Sequence, residues 1–538
     1  MTQIHNKKQF ITYILLILAI IVIFNIALRS LFFRVDLTRE NVYSLSHSSK
    51  TVIRKLDDRM IARVFYSDNL PGQYANSRRY LQDLLEEYQA YSKGRFHFEF
   101  INPDEDQDAM REAQSYQIPP IQLQVIENDK LEVKKVYMGL VLLYNDKKET
   151  LPVIQSTTGV EYDLTAAIKK LTAVGMNTIG VYTGNTSIKT EQLEEILRQT
   201  YNVRNVGLEN EIPTDITTLL VNGVTDSLSE EELFNLDQYL MRGGKLFLGV
   251  SRIDAQLQQG IGNELKTNFY DFLAHYGILV GRDLLIDKRC GQIQIQQKQG
   301  FFSFSSAINY PPFILVQKFN EDHIIVKDLE ETRLFFTNAI NSSKGDDSFI
   351  PLMKTSERTG LITPGQVPQM MYGQYTMAEG YNIMPDIKNS PQYTNPAMNN
   401  FSEPSQTIAG LFQGGFTSFF ADSSDQNSKE TFIGSINDGQ IIVVGDNEFL
   451  NDQAAGGIES NLNFIINSID YLSGDQELID IRSRTVTSRP LDELSKSSRT
   501  FWKWLNILLP SVLVIFYGLF RMRQNKAKRK MMEEIYGR

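Results

Sequence analysis

Two long apolar runs bracket the chain. Residues 10–28 (FITYILLILAIIVIFNIAL) carry no charge and come close to the roughly 20 residues that cross a hydrocarbon core as a helix. A cleaved signal has an apolar region of about 7–15 residues followed by small ones; here Arg29, Phe32, Phe33 and Arg34 follow, so a retained span is predicted. The second run, residues 504–520, has Phe501, Trp502 and Trp504 at its entrance and Tyr517 near its exit, where amphipathic rings favour the lipid–water boundary. Pro510 lies within it and is tolerable because membrane helices re-satisfy the freed carbonyl through neighbours or side chains.

Between the runs the hydrophobic period switches repeatedly. Ser44 and Ser46 precede a helix with Val52, Ile53 and Leu56 on its apolar face, a start supplied by Ser/Thr capping. Residues 61–66 read as a strand, 78–92 as a helix presenting Leu81, Leu84, Leu85, Tyr88 and Tyr91, and 96–101 as an alternating strand. An acidic helix start at residues 104–106, a Pro119-Pro120 turn and strands at 122–127 and 136–144 follow. A βαβ unit, a helix and a hairpin in that order resemble a thioredoxin-like domain over 34–150. No CxxC stands where a redox version needs one, so a scaffold is expected.

A second α/β unit begins after a helix at 161–171. Strands at 177–182, 218–221 and 245–250 alternate with helices at 190–199 and from Ser229 to Met241, the latter opened by a Ser229/Glu232 capping box and closed by Gly243-Gly244. That alternation predicts a parallel sheet covered on both faces. From 254 to 430 the pattern degrades into polar runs such as 292–297 and a Gly/Pro/Asn-rich stretch at 360–415, so an irregular insertion is expected. A strand at 439–446 and a helix at 461–472 resume the interrupted sheet. The chain therefore divides into a leader 1–9, a span 10–28, the domain 34–150, a first sheet part 157–253, the insertion 254–430, a return segment 431–482, a linker 483–500, a span 504–520 and a tail 521–538.

Length and charge set orientation. With 538 residues and 22% charged content, the chain exceeds one core of about 250–300 residues, and most of it lies outside lipid. The tail holds seven basic and two acidic residues, and the leader adds Lys7 and Lys8, which leaves the intervening body acidic. Basic flanks stay on the cytoplasmic side. Arg29 and Arg34 oppose this, but two spans put both ends on one side and the tail outweighs them. Both termini are thus expected in the cytoplasm of a two-pass inner-membrane protein, with the body periplasmic or extracellular. An acidic body repels phosphate, so no nucleic acid partner is expected.

Candidate chemistry is sparse. A lone Cys290 supports neither an internal disulfide nor a thiolate metal site, and His5, His47, His97, His275 and His323 show no HxH or HExxH spacing. Cys290 with His323 lacks the strand-to-helix elbow of a hydrolase, and no GxxxxGK[ST] loop binds a nucleotide. No catalytic residue, metal or cofactor is expected. The turns after Tyr182, Val250 and Val444 should meet at the carboxyl edge of the parallel sheet, making Gly184, Asn185, Asp446, Asn447 and Glu448 the ligand or interaction candidates. Asn25 in the first span, with Asn506 and Ser511 in the second, can bond between membrane helices at about 0.6–2 kcal/mol each.

Several short segments carry a resemblance: Arg34-Val35-Asp36-Leu37-Thr38 with Tyr43-Ser44-Leu45, Asp68-Asn69-Leu70-Pro71, Leu84-Leu85-Glu86-Glu87-Tyr88, Asn102-Pro103-Asp104, Ala167-Ile168-Lys169-Lys170-Leu171-Thr172, and Val443-Val444-Gly445-Asp446-Asn447-Glu448-Phe449. In this order, between terminal spans, they resemble the gliding-motility-associated ABC-transporter auxiliary family of the GldG type. The resemblance implies a non-enzymatic auxiliary subunit beside a separate ATPase and a multi-span permease, serving gliding or secretion, and is compatible with a homo-oligomer. It also implies a glutamine-amidotransferase-like, Rossmann-like domain related to one in ciliary transport proteins. Many relatives have a Gly-His-Gly-Glu-like turn where this chain has Gly184-Asn185-Thr186-Ser187. The alternative function is a membrane-tethered receptor holding a small ligand at the sheet edge.

Overall fold

The computed structural model of the chain describes residues 44–537 apart from short internal stretches, the longest being 388–393, 423–431 and 482–495. The expected first span, 10–28, and Asn25 within it lie outside the described residues.

A four-stranded sheet comes first. Met60–Tyr66 pairs in parallel with Phe96–Ile101 and antiparallel with Met138–Tyr144, which pairs antiparallel with Lys147–Leu151 at the edge. Alternation along the first strand explains its central place: Met60, Ala62 and Val64 pack with Leu81, Leu85, Leu164 and Ile168 on one face, while Phe65 packs with Ala113, Ile118 and Val141 on the other. The strand expected from residue 136 divides in two. Lys130–Val136 folds back on Ile121–Glu127 as a separate hairpin, and only Met138–Tyr144 enters the sheet.

Where the chain enters this domain it is held by buried carboxylates. Leu45 donates its N–H to Glu87 (2.7 Å), and Ser46 donates its own to Glu161 (2.8 Å). Ser46 also caps the helix His47–Arg54 by accepting the Ser49 N–H, and the Ser49 hydroxyl donates to Glu161 at 2.6 Å. Leaving a buried donor unpaired costs about 1–3 kcal/mol. Glu161→Ala strands the Ser46 N–H, so it is expected to destabilise this entry by that amount and to hasten tryptic cleavage at Lys50 and Arg54. Unchanged digestion rates would refute the clamp.

An eight-stranded sheet organises the rest of the body. Asn202–Asn205, Thr178–Tyr182, Ile216–Asn222, Lys245–Gly249 and Ser435–Val444 lie side by side in parallel. Thr407–Thr417, Phe349–Lys354 and Lys318–Phe319 continue it antiparallel. Leu219, Leu246 and Val443 face the helices Glu230–Met241 and Phe269–His275 through Leu236, Leu240 and Phe272. Ile179, Leu220, Phe247 and Ile442 face Glu191–Leu197 and Glu459–Leu472 through Leu193, Leu197, Phe464 and Ile469. The capping box at Ser229 and Glu232 is formed in both directions.

The segment expected as an irregular insertion is instead rich in strands, three of which belong to the main sheet. At Gly410 glycine serves close packing rather than a turn. Gly410 lies opposite Pro351 in the pairing of Thr407–Thr417 with Phe349–Lys354, and a Cβ on it would stand 2.3 Å from the Phe349 ring, which packs on Phe412 with centroids 4.6 Å apart.

The described part of the C-terminal unit, from Ser488 onward, is a single helix. Its helix Lys496–Tyr536 contains a stretch, Ser497–Lys528, long and apolar enough to cross a membrane, and Leu513, Val514 and Phe516 are exposed on it. The described residues thus form a mixed α/β body with, among them, one candidate membrane helix near the C-terminus.

Candidate functional site

Counted along the chain, the five parallel strands lie in the order second, first, third, fourth, fifth. Connections diverge between the first strand, Thr178–Tyr182, and the third, Ile216–Asn222. The crevice outside the carboxyl ends of strands at such a switch point is where open α/β sheets hold ligands. Two loops meet there. Gly184 (φ +62°) and Gly223 (φ +69°) both take left-handed backbone, and a Cβ on Gly184 would stand 2.5 Å from the Gly223 carbonyl oxygen, so only glycine permits the approach. Asn185 lies outside the described residues.

Asn222 ends the third strand. It is fully buried, yet neither its amide nitrogen nor its amide oxygen has a hydrogen-bond partner among the described residues. Its Oδ1 occupies the space a side chain would need on the neighbouring fourth strand, since a Cβ on Gly249 would come within 2.1 Å of it. Burying such a group unpaired costs free energy.

Beyond Gly249 the carboxyl edge is covered by the chain itself. Asn338 donates its backbone N–H to the Gly445 carbonyl (2.9 Å) and accepts on Oδ1 from the Ser251 hydroxyl (2.7 Å) and the Arg252 N–H (2.8 Å). Its side-chain amide donates to the Asp283 carbonyl at 2.9 Å. Thr337 donates its hydroxyl to Gly445, and a Cβ on Gly445 would stand 2.2 Å from the Asn338 carbonyl oxygen. Asp446, fully buried, accepts the Phe335 N–H on one carboxyl oxygen (2.8 Å) and the Glu448 N–H on the other (2.9 Å). Both oxygens therefore fasten the 335–338 segment and the turn after the fifth strand.

The sequence candidates accordingly separate. Gly184 sits at the switch point. Asp446 lies under the covering segment, with Asn447 half-buried and Glu448 exposed next to it. Asn222, Ser251 and Asn338 escaped notice; of these Asn222 and Ser251, each immediately after an expected strand, carried a positional signal. Asn506 is exposed on the C-terminal helix, and Ser511 lies on the same helix.

Burial pushes the Asp446 carboxyl up to about 7, against two N–H bonds that favour its ionised form. The folded protein thus keeps a proton there that the unfolded chain releases near pH 4. This contribution to stability is fully present below pH ~4 and is lost as pH rises through about 7. Asp446→Asn is expected to flatten the dependence of the urea midpoint on pH between about 4 and 7. An unchanged slope would contradict the assignment.

The surroundings of Cys290 do not activate it as a nucleophile. Cys290 opens the strand Cys290–Gln299, half-buried, and burial raises its thiol above the ordinary range, the reverse of an activated thiolate. Among the described residues no group of three or more His, Cys, Asp or Glu could hold a metal ion.

A two-sided α/β sheet whose carboxyl edge is largely closed by its own chain is joined in one polypeptide to an apolar helix long enough to cross a membrane. The family described as an ABC-type uncharacterized transport system matches residues 176–468, more than half of the chain, and the chain belongs to that ABC transporter auxiliary family. A domain of unknown function matches residues 39–143. A protein of Borreliella burgdorferi (strain ATCC 35210 / DSM 4680 / CIP 102532 / B31), described as uncharacterized, is 23% identical over 546 residues, spanning 97% of this chain and 99% of that protein. Among solved structures, the mmIFT52 N-terminal domain aligns with 55% of this chain and 97% of its own length, at 14% identity and a TM-score of 0.31.

Proposed function

We propose that the chain is a non-enzymatic auxiliary subunit that joins a multi-span permease and a separate ATPase in an ABC transport complex, in the manner of the GldG type that serves gliding or secretion. The family match over residues 176–468 carries this reading. Two spans, 10–28 and 504–520, hold both termini in the cytoplasm and the acidic body outside. The domain over 34–150 is thioredoxin-like, a reading supported by its parallel pair extended by an antiparallel hairpin. The larger domain is amidotransferase-like, and its two-faced parallel core supports that reading. Asn25, Asn506 and Ser511 bond laterally to permease helices.

Affinity purification from mild detergent through a C-terminal tag tests the proposal. Recovery of a permease and an ATPase in constant ratio is the expected result, and a partnerless chain would reject it.

A second reading, a tethered receptor, is favoured by one observation, the unpaired amide of Asn222. In it, Asn222 and the turn at Gly184 and Asn185 hold a small ligand at the switch point, with Asp446, Asn447 and Glu448 shaping the neighbouring edge. Asn222→Leu removes an unpaired polar group and is expected to raise stability by about 1–3 kcal/mol. If the variant still complements a deletion strain, the receptor reading fails; a stabilised but inactive variant would sustain it.

A further inference from the structure

Sheet edges expose rows of unpaired N–H and C=O groups, and proteins blunt them with short strands, charges, proline or bulges. Most edges of this molecule follow that rule. Lys318–Phe319, Asn202–Asn205 and Ile253–Gln256 are two to four residues long, Lys147–Leu151 carries Lys147, Lys148 and Glu149, and Gly365–Met371 contains Pro368. Cys290–Gln299 breaks it. This strand has ten residues, with Lys298 its one charge and no proline, and it pairs on one side with Phe302–Val316 while no strand lies on its other side among the described residues. The one register shift lies at its start, between Cys290 and Gln292, so the rest of the edge is regular.

The two faces of the strand differ. Ile293 packs on the core and Ile295 is buried, whereas Gln292, Gln294 and Gln296 are exposed. Two of the exposed glutamines are already bonded to the neighbouring strand: the Gln292 amide donates to Asn309 (3.1 Å), and the Ser305 hydroxyl donates to Gln294 (3.0 Å).

We infer that this edge pairs antiparallel with the same edge of a second copy of the chain, about a two-fold axis at Gln294. The sequence is self-complementary in that register. Directly opposed residues share a face, so Gln294 meets Gln294, Gln292 meets Gln296, and Ile293 meets Ile295. One face becomes a glutamine ladder, and the other brings together Ile293 and Ile295 of both copies. Lys298 falls opposite Cys290 rather than opposite its own counterpart, so no like charges meet. A two-fold pairing of this kind is closed, and the joined sheet ends on each side at the four-residue strand Thr332–Phe335. The dimer is independent of which permease the subunit serves.

Cysteine substitutions read the register in the full-length protein, in detergent and with Cys290→Ser as background. Opposed Cβ atoms lie about 4.5–5.5 Å apart, near the reach of a disulfide, while positions two residues off the axis lie about 13 Å from their own counterparts. Gln294→Cys is therefore expected to give a disulfide-linked dimer on mild oxidation, and Gln292→Cys none. Gln294→Lys, which opposes two ammonium groups, is expected to halve the protein mass measured by light scattering. Equal cross-linking at both positions, adducts only with another protein, or a mass unmoved by Gln294→Lys would overturn the inference.

Discussion

Asp237→Ala is expected to destabilise the large domain by roughly 1–3 kcal/mol, chiefly because the Tyr276 hydroxyl is left without an acceptor while the Phe419 N–H keeps only a longer bond (3.4 Å) to the Tyr276 oxygen. The carboxylate is fully buried on the helix Glu230–Met241. One oxygen accepts the Phe419 N–H at 2.7 Å and the Tyr276 hydroxyl, and the other accepts the Ser418 hydroxyl and the Gln238 amide, each at 2.8 Å. Three elements are thereby joined at one side chain: this helix, the end of the helix Phe269–His275, and the chain leaving the strand Thr407–Thr417. Burial, and then the charge of Asp237, push the Tyr276 hydroxyl far above its ordinary range, so it stays a donor at working pH. Ser418 and Gln238 can find other partners by rotation; the Phe419 N–H and Tyr276 hydroxyl are enclosed by Phe272, Phe416 and Phe420. Asp237→Asn keeps one acceptor and should lose less. Urea midpoints for the three proteins check the order, and an alanine cost under about 1 kcal/mol would refute it.

The other large effect concerns the C-terminal helix. Leu513 and Val514 are 59% and 71% exposed near the middle of the apolar stretch. Replacing each by aspartate costs about 3–4 kcal/mol at a bilayer centre, enough together to prevent insertion. On the proposed topology the C-terminal tag of the wild-type chain is protected from protease added outside spheroplasts. The double variant Leu513→Asp, Val514→Asp is expected to expose it. Protection that persists would mean that this helix does not cross the membrane.

How much of this was legible in the sequence depended on the range of the interactions. Phe96–Ile101 and the Ser229/Glu232 cap were readable because their signals are local: strict alternation, and a hydroxyl three residues before a carboxylate. Thr407–Thr417 was not, because its glycines signal loops until Gly410 is placed against the Phe349 ring far away in sequence. The alternation Gln292-Ile293-Gln294-Ile295 was a strand signal taken for a polar run. Asp237 had a quiet signal, an acid on the same helical face as Leu233 and Leu240. At the candidate site, Gly184 and Asp446 could be found from strand ends, whereas Asn338 could not, since its importance comes from meeting Ser251 and Gly445 in space. The strand order that locates the switch point is likewise a tertiary fact.

The central claim, an auxiliary subunit seated against a permease, is tested most directly inside the membrane. A photo-crosslinking amino acid placed at Ile507, Val514 or Phe516 of the C-terminal helix, irradiated in intact cells, reports what that helix touches. The account predicts one dominant adduct with a multi-span permease from a subset of these positions, as expected for a helix that presents one face to its partner. Adducts with lipid alone from every position would contradict it.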